Sequence, residues 1–491
     1  MSLSLTSTLS VRSRAPNLAP LFVAQGAYLL FLFLGNGMLN DPDSYWHIKV
    51  GQWILDHRTL PSTDLYSFTR FGEHWISTEW LSQVVFATGY AQWGWAGPVI
   101  LAAIAIALSA AIFAYLLDAY FESPVLPVLF VILALSLGLP HFLARPHILA
   151  LPVMVAWSGM LMASAERKSP PFWLWLPLMA LWANLHGSFI LGLALIGPFA
   201  LEAVWNVENE RRTALFMRWV LFGIGALIAS CCTPYGWKTL LGAANILNLG
   251  KALMVIAEWR PADFTSFTLF EGALLGLVAI AFYCRPVLSP PRILLVLVLT
   301  WMALTHIRNT EVFAFLVPLV LARPLAESLG RARQDASPDE TRLVINRHAL
   351  ALGILMIVAA AGIPTLIFTS YHRFTPPPSP VAAVDLLQER KAQRIFNDYG
   401  FGGYLISRNI PVFVDGRTEL YGKTFILEVN ATSKLNNMTR LLDEYRIDAT
   451  LLRPDDAEPL DHVKGWKRLY ADNIAVVHVR DDMQPTAPVR P

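Results

Sequence analysis

Asp41-Pro42-Asp43-Ser44-Tyr45-Trp46-His47 places two carboxylates and an imidazole directly after the first long apolar run of the chain, Leu18 to Met38. Paired carboxylates can take a proton from an attacking group or hold a hard cation. Ionisable groups at the edge of an apolar segment are costly enough to mark function. The same polar stretch, residues 40–94, carries His47, Asp56, His57, Asp64, His74 and Glu79 among many aromatic side chains. A local alternative stands beside this reading. Asp43 or Ser44 can be the N-cap of a helix whose Trp46, Val50, Trp53 and Ile54 face would lie on a membrane surface. Spacing allows both roles.

Three further clusters carry charge. Pro140 to His147 packs His141, Arg145 and His147 into a tight turn, a combination suited to a phosphate through guanidinium charge and paired donors. The turn His306-Ile307-Arg308-Asn309-Thr310-Glu311 repeats that chemistry. In Glu258-Trp259-Arg260 the indole can stack on a sugar face while the charges bind hydroxyls, although a Trp anchor beside a surface ion pair would look the same. His186, held by Gly187 between two apolar runs, is either a polar turn or a substrate contact.

These residues must be positioned by membrane helices. The 491 residues are 55% hydrophobic and only 15% charged, with mean hydropathy +0.46, which excludes an ordinary soluble protein. A net charge of +2 gives no reason to expect nucleic acid. Cys231, Cys232 and Cys284 build neither a disulfide framework nor a metal site. Runs near 18–38, 95–117, 124–140, 147–164, 172–185, 188–206, 215–232, 266–284, 293–306, 309–323 and 348–370 predict about eleven spans. Residues 80–93 are apolar but short and read as re-entrant or interfacial. The first run is read as an uncleaved span despite Arg12 and Arg14 before it.

Basic residues at Arg167, Lys168, Arg211, Arg212, Arg218, Arg285 and Arg292 and in the Arg323–Arg347 loop put those loops and the N-terminus in the cytoplasm. His47, His57, His74, His141, His147, His186 and His306 then all fall on the opposite side with Arg145, Glu258, Arg260, Arg308 and Glu311, as a substrate cavity would require. The expected organisation is a membrane domain over 1–375, a small α/β extracytoplasmic domain over 376–482 after the Pro-rich hinge at Pro376, and a disordered tail over 483–491. Strands are expected at 394–397, 404–407, 411–415, 449–452 and 474–479, and helices around 423–430 and 435–445.

The segment DPDSYWHIKVGQWILDHRTLPSTD, from Asp41 to Asp64, resembles the first outer loop of the GT-C superfamily of membrane glycosyltransferases, above all the oligosaccharyltransferase catalytic subunits. TEWLSQ at Thr78, ARPH at Ala144 and NLHG at Asn184 are similar to a broad group of bacterial membrane proteins regarded as glycosyltransferase-like. Asn397-Asp398-Tyr399-Gly400-Phe401-Gly402-Gly403-Tyr404, followed by Val414-Asp415-Gly416-Arg417, resembles the WWDYG segment that reads the acceptor in oligosaccharyltransferases, without its two tryptophans. Those glycines read equally as turn and bulge residues before a strand.

The resemblance implies an enzyme of the bacterial inner membrane that moves a sugar from a polyprenyl phosphate or diphosphate to a lipid, glycan or protein acceptor. It implies Asp41 or Asp43 as base, and Arg145, His147, His306 and Arg308 on the donor phosphate. Substrate contacts would come from His47, His74, Glu79, His186, Glu258, Trp259, Arg260, Asp398, Tyr399 and Arg417. Mg2+ or Mn2+ could sit on the Asp41/Asp43 pair if the donor is a diphosphate. A transporter or flippase would instead use the polar face as a pore mouth, but the opposite half is expected to lack buried charge. A non-catalytic lipid-binding scaffold is the third reading.

Overall fold

The computed structural model describes residues 18–332, 362–363, 365–370, 372–376, 379–431 and 435–481. Most of the expected span 348–370 and the tail 483–491 lie outside the described residues. The chain is mostly helical with one small C-terminal sheet.

Ala96–Asp118, Pro146–Glu166, Asn209–Ser230 and Ile307–Ser328 are long and apolar enough to cross a membrane. Shorter apolar helices include Ala19–Phe33, Val125–Gly138, Leu176–Leu185, Phe189–Trp205, Leu269–Tyr283 and Pro290–Thr305. Apolar residues surround these helices on all sides, so amphipathic periodicity is weak and packing decides which face turns inward. Pro146–Glu166 and the helix following Ile307 are the most enclosed, and Phe113, Trp157, Trp182, Phe199 and Phe315 fill the space around them. Ile104, Leu108, Leu221, Ile228, Leu275, Phe282, Leu297 and Trp301 stay exposed, a pattern that water would penalise and lipid does not. A membrane location follows from these helices.

The half expected to lack charge does not. At the far end of Pro146–Glu166, about 30 Å from Arg145 at 1.5 Å per residue, Glu166 accepts from Arg292 Nη2 at 3.2 Å. Arg292 Nε lies 2.6 Å from Glu202 Oε1, and the three side chains are almost wholly buried. Tyr120 donates its hydroxyl to Glu166 Oε2 at 2.9 Å. The expectation failed because Glu166 and Arg292 sit at helix ends, just outside the runs 147–164 and 293–306, while Glu202 lies near the end of the run 188–206. Every one of them is paired, so the cluster reads as a staple between helices.

Over the other end lies a polar layer built from the Asp43–His57 helix, an irregular stretch, and the Trp80–Trp93 helix. The Trp46, Val50 and Ile54 face of the first helix does not lie on a membrane surface. It is buried with Tyr404, Leu405, Ile406, Ala449 and Val477 of the C-terminal unit, with Trp53 partly buried against them.

That unit has strands β1 (Ile395–Asn397), β2 (Ala449–Leu452), β3 (Trp466–Ala471) and β4 (Val476–Arg480) in the order β1-β2-β4-β3. β1 and β2 are parallel and the other pairs antiparallel, with an irregularity between Arg468 and Tyr470. The helices Gly402–Ser407, Thr418–Asn430 and Leu435–Glu444 form the crossover from β1 to β2. Three expectations change here. Tyr404 to Ser407 is helical, because a short, fully buried apolar run has no period that distinguishes helix from strand. Pro411 to Asp415 stays outside the sheet, and its Val412 bridges to Ser67 of the outer loop. β3 is an edge strand whose Lys467 and Arg468 hid it, since charge blunts exposed edges.

Arg292→Ala would leave Glu166 and Glu202 buried without their cation. The expected loss is about 3–5 kcal/mol, seen as a lowered thermal midpoint in detergent, with the chemistry at the opposite end retained in protein that folds.

Candidate functional site

Backbone ties bring the charged turns together before any side chain acts. Ala144 N–H donates to Met38 O at 2.7 Å, and Ser44 Oγ donates to Ala144 O at 3.3 Å, which sets Arg145 beside the Asp41–Asp43 turn. Ile307 N–H donates to Arg260 O at 2.9 Å and Ala262 N–H to Leu304 O at 3.0 Å, which carries Glu258 and Trp259 over the Arg308 turn.

Arg145 is the hub. Its Nη1 donates to Asp41 Oδ2 at 2.6 Å and to Glu258 Oε1 at 2.7 Å, while Nη2 stands 3.5 Å from Asp43 Oδ2. Pro42 is the helix N-cap and has no side chain to offer, so the expected Asp43 or Ser44 cap does not form. Asp41 does that work instead, its Oδ1 accepting from Asp43 N–H at 2.7 Å. The two carboxylates therefore differ: Asp41 is committed to the guanidinium and the helix end, whereas Asp43 accepts from Trp46 Nε1 at 3.0 Å and meets Arg145 only at longer range. Burial, then the neighbouring Asp41 charge, push the Asp43 carboxyl up to about 7. Glu258 is held down at about 2, its burial outweighed by Arg145 and then Arg308.

Glu79 organises a second group. Its Oε1 lies 3.1 Å from His186 Nε2, and its Oε2 3.8 Å from His47 Nε2. His186 Nδ1 pairs with Ser188 Oγ at 2.8 Å, and His47 Nδ1 with Gln83 Nε2 at 3.3 Å. Burial, then Glu419, raise the Glu79 carboxyl to about 8, and burial drives both imidazoles well below their ordinary value, so they are neutral. A neutral imidazole beside a protonated carboxyl can pass a proton in either direction.

Between the two groups opens a pocket of about 600 Å³, counting the part open to solvent. His141, His147, His186, Glu258, Arg308, Asn309 and Glu311 form its polar part, and Ala150, Leu151, Met154 and Val312 its apolar wall. Those four apolar residues belong to the two most enclosed helices, so the pocket runs from a charged mouth to an apolar wall inside the bundle. His147 Nε2 pairs with His141 O at 2.8 Å and lies 4.0 Å from Glu311. Arg308 stacks its guanidinium 4.5 Å from the centre of the Trp259 ring and, among the described residues, forms no ion pair. The opposite edge of that indole meets His306, ring to ring at 5.4 Å.

The C-terminal unit closes over Asp43. A Cβ on Gly416 would overlap Asp43 Oδ1, and one on Gly403 would overlap Pro42 O, so the Gly-rich segment serves close backbone approach and not a strand bulge. Tyr399 hydroxyl donates to Gly416 O at 3.3 Å, and burial, then Asp43, hold that phenol well above its ordinary value.

Four of the expected substrate residues stand elsewhere. His74 is exposed and bridges back to Thr63. Arg260 is exposed, its Nε donating to Met254 O at 3.2 Å. Asp398 accepts from Gly400 N–H at 2.8 Å and from Arg453 Nε at 3.2 Å. Arg417 is wholly buried and saturated by Asp415 and Asp64. Conversely, Gln83, Ser188 and Asn309 line or support the site without having been singled out as site residues. Their neighbours Glu79, His186 and Arg308 were the signal, since helix and turn geometry bring residues one to four apart onto one surface. Gly416 and Glu419, next to Arg417, also reach the site, Gly416 against Asp43 and Glu419 through its charge on Glu79.

For Mg2+ or Mn2+ the fit is poor. Arg145 occupies the space between Asp41 and Asp43 where a cation would sit, and among the described residues no group of three or more His, Cys, Asp or Glu side chains is placed to hold a metal.

No protein-family model and no curated protein matches the sequence. Among solved structures, the apo oligosaccharyltransferase of Archaeoglobus fulgidus superposes with a TM-score of 0.52 at 11% identity, covering 88% of this chain and 69% of that one. The chain shares its fold with that oligosaccharyltransferase. ArnT from Cupriavidus metallidurans bound to undecaprenyl phosphate gives 0.48 at 12% identity over 94% of this chain and 98% of that one. The Archaeoglobus fulgidus oligosaccharyltransferase AglB, in complex with an inhibitory peptide and a dolichol-phosphate, gives 0.49 at 13% identity over 89% and 69%.

Because the Asp43 and Glu79 pKa values are raised above those of the unfolded chain, the stability these groups contribute is fully present near pH 4 and declines as pH rises through about 7 and about 8. Infrared difference spectra should therefore gain protonated-carboxyl bands on acidification through those two values. Asp43→Asn should remove the lower transition and Glu79→Gln the upper, each also flattening the fall in thermal stability that leads up to its transition from the acid side.

Proposed function

We propose that the protein is an integral-membrane glycosyltransferase that moves a sugar from a polyprenyl phosphate, or diphosphate, to an acceptor on the extracytoplasmic side of the membrane. The observation that carries this reading is the pocket lined by Glu258, the carboxylate that shares Arg145 with Asp43, where Arg308, free of any ion pair among the described residues, sits at a charged mouth above an apolar wall. A phosphate with a long hydrocarbon chain satisfies both ends of that gradient. The GT-C fold supports the class of reaction.

The chemistry divides among named residues. Asp43, the less committed carboxylate and the one with a pKa near neutrality, takes the proton of the acceptor nucleophile. The nucleophile bonds to the anomeric carbon as the bond from that carbon to the phosphate oxygen breaks, and the electron pair leaves with the phosphate. Arg308, with His141 and His147 beside it, receives that charge. Arg145 is neutralised by Asp41 and Glu258, so its part is to hold Asp43 in line. A divalent cation would have to displace Arg145, and no step is assigned to one.

In the membrane we place about eleven spans, a cytoplasmic N-terminus, and the 376–482 domain in the periplasm of a cell envelope. The support is that the site lies at one end of the bundle with the C-terminal unit over it, while Arg211, Arg212 and Arg285 lie at helix ends on the other.

Purified protein in liposomes with a radiolabelled polyprenyl-phosphate sugar tests the proposal. Asp43→Asn should lower kcat by roughly 10²–10⁴-fold, and Arg308→Ala by about 10²–10³-fold. Since the base must be ionised, kcat/KM should fall as pH drops below about 7. Lipid binding with no turnover would favour the scaffold reading, and a wild-type rate in Asp43→Asn would remove Asp43 from the mechanism.

A further inference from the structure

Arg417 is wholly buried, and its guanidinium takes no part in lining the pocket beside Arg308. Nε and Nη2 donate to Asp415 Oδ1 and Oδ2 at 2.9 and 2.7 Å, and Nη1 donates to Asp64 Oδ1 at 2.6 Å. Trp75 and Tyr66 flank it with ring centres at 4.9 and 5.2 Å. Asp64 accepts further from Tyr66 N–H, Ser67 N–H and Ser67 Oγ, and Asp415 from Tyr421 hydroxyl at 2.8 Å. Both carboxylates are thus fully hydrogen-bonded, the condition under which a buried ion cluster fixes geometry.

The cluster joins chain segments 353 positions apart. Around it Phe68 N–H donates to Val412 O and Val412 N–H to Tyr66 O, each at 3.0 Å, and Thr69 Oγ1 donates to Phe413 O at 2.7 Å. One residue separates Asp415 from Arg417, and that residue is Gly416, whose backbone lies against the Asp43 carboxylate.

We infer that Arg417 is a positioning residue: its ion triad with Asp64 and Asp415 latches the C-terminal unit onto the outer loop and sets the Gly416 backbone as a wall against Asp43. Anchors on either side of Gly416 leave that peptide little freedom, and the absence of a Cβ lets it come close enough to fix the carboxylate rotamer. Trp46 Nε1 holds the same carboxylate from its own helix at 3.0 Å. The reactive carboxylate is therefore seated from both units, and a shift of the latch moves it without touching the donor pocket.

The inference builds on the catalytic role proposed for Asp43, and the test separates the two. Arg417→Lys keeps the charge and loses the fork that spans two carboxylates. Gly416→Ala leaves the triad intact and crowds Asp43. Both should lower kcat roughly 10- to 100-fold with the donor KM unchanged, and neither should lower the residual rate further in an Asp43→Ala background. Independently of turnover, hydrogen exchange in Arg417→Lys should quicken at residues 43–46 and 415–418 while β2 and β4 stay protected. A wild-type kcat in Arg417→Lys, an equal further loss in the Asp43→Ala background, or exchange that quickens across the whole sheet would each overturn the latch. If the wild-type protein transfers no sugar, the proposed function falls, and the exchange pattern alone decides the latch.

Discussion

Everything at the polar end of this bundle depends on one guanidinium shared among three carboxylates. Arg145 holds Asp41, Asp43 and Glu258, carboxylates from two segments of the chain, in a largely buried setting. A single cation cannot neutralise three full charges, so the cluster sorts its members. Glu258 stays ionised, Asp41 is tied down by the short contact and by the helix amide, and Asp43 is left with a proton affinity near neutrality. The inequality between two carboxylates two residues apart is the chemical content of the site.

The pocket beside it completes the logic by being charged differently. There the cation is Arg308, which leans on Trp259 with no carboxylate of its own among the described residues, and the imidazoles around it are kept neutral by burial. One arginine is spent on architecture and the other is available to a ligand. The apolar wall from two enclosed helices gives that pocket a gradient from charged to apolar.

The C-terminal unit is part of the site and not an appendage. Its apolar face buries Trp46, Val50 and Ile54, its Gly403 and Gly416 press against Pro42 and Asp43, and its Arg417 anchors the contact. The far end of the bundle is knit by Arg292 between Glu166 and Glu202, with Arg323 3.8 Å from Glu166. The two ends thus differ in kind: one matches two buried carboxylates with two arginines, the other keeps unequal carboxylates and an arginine that, among the described residues, forms no ion pair.

Composition made the membrane helices legible, because a chain this apolar has no other way to satisfy its backbone. Charge placement and histidine position made the polar face legible, and Asp41, Asp43, Arg145, Glu258 and Arg308 were all readable as charged turns at its rim. Sequence could not say that Asp41 would cap the helix while Asp43 stayed free, since the two differ only in which neighbour each rotamer reaches. Nor could it tell that Arg417 binds aspartates and no substrate, because its partner Asp64 is brought near only by the docking of two units. His74 and Arg260 share the residue types of the site and face solvent, for a residue type states a capacity and only packing supplies a direction. What the sequence determined by itself was the inventory of charges and the side of the bundle on which they gather. Which of them meet, and therefore which keep their ordinary proton affinity, was decided by tertiary burial, because desolvation and pairing act over a few ångströms that no spacing along the chain encodes.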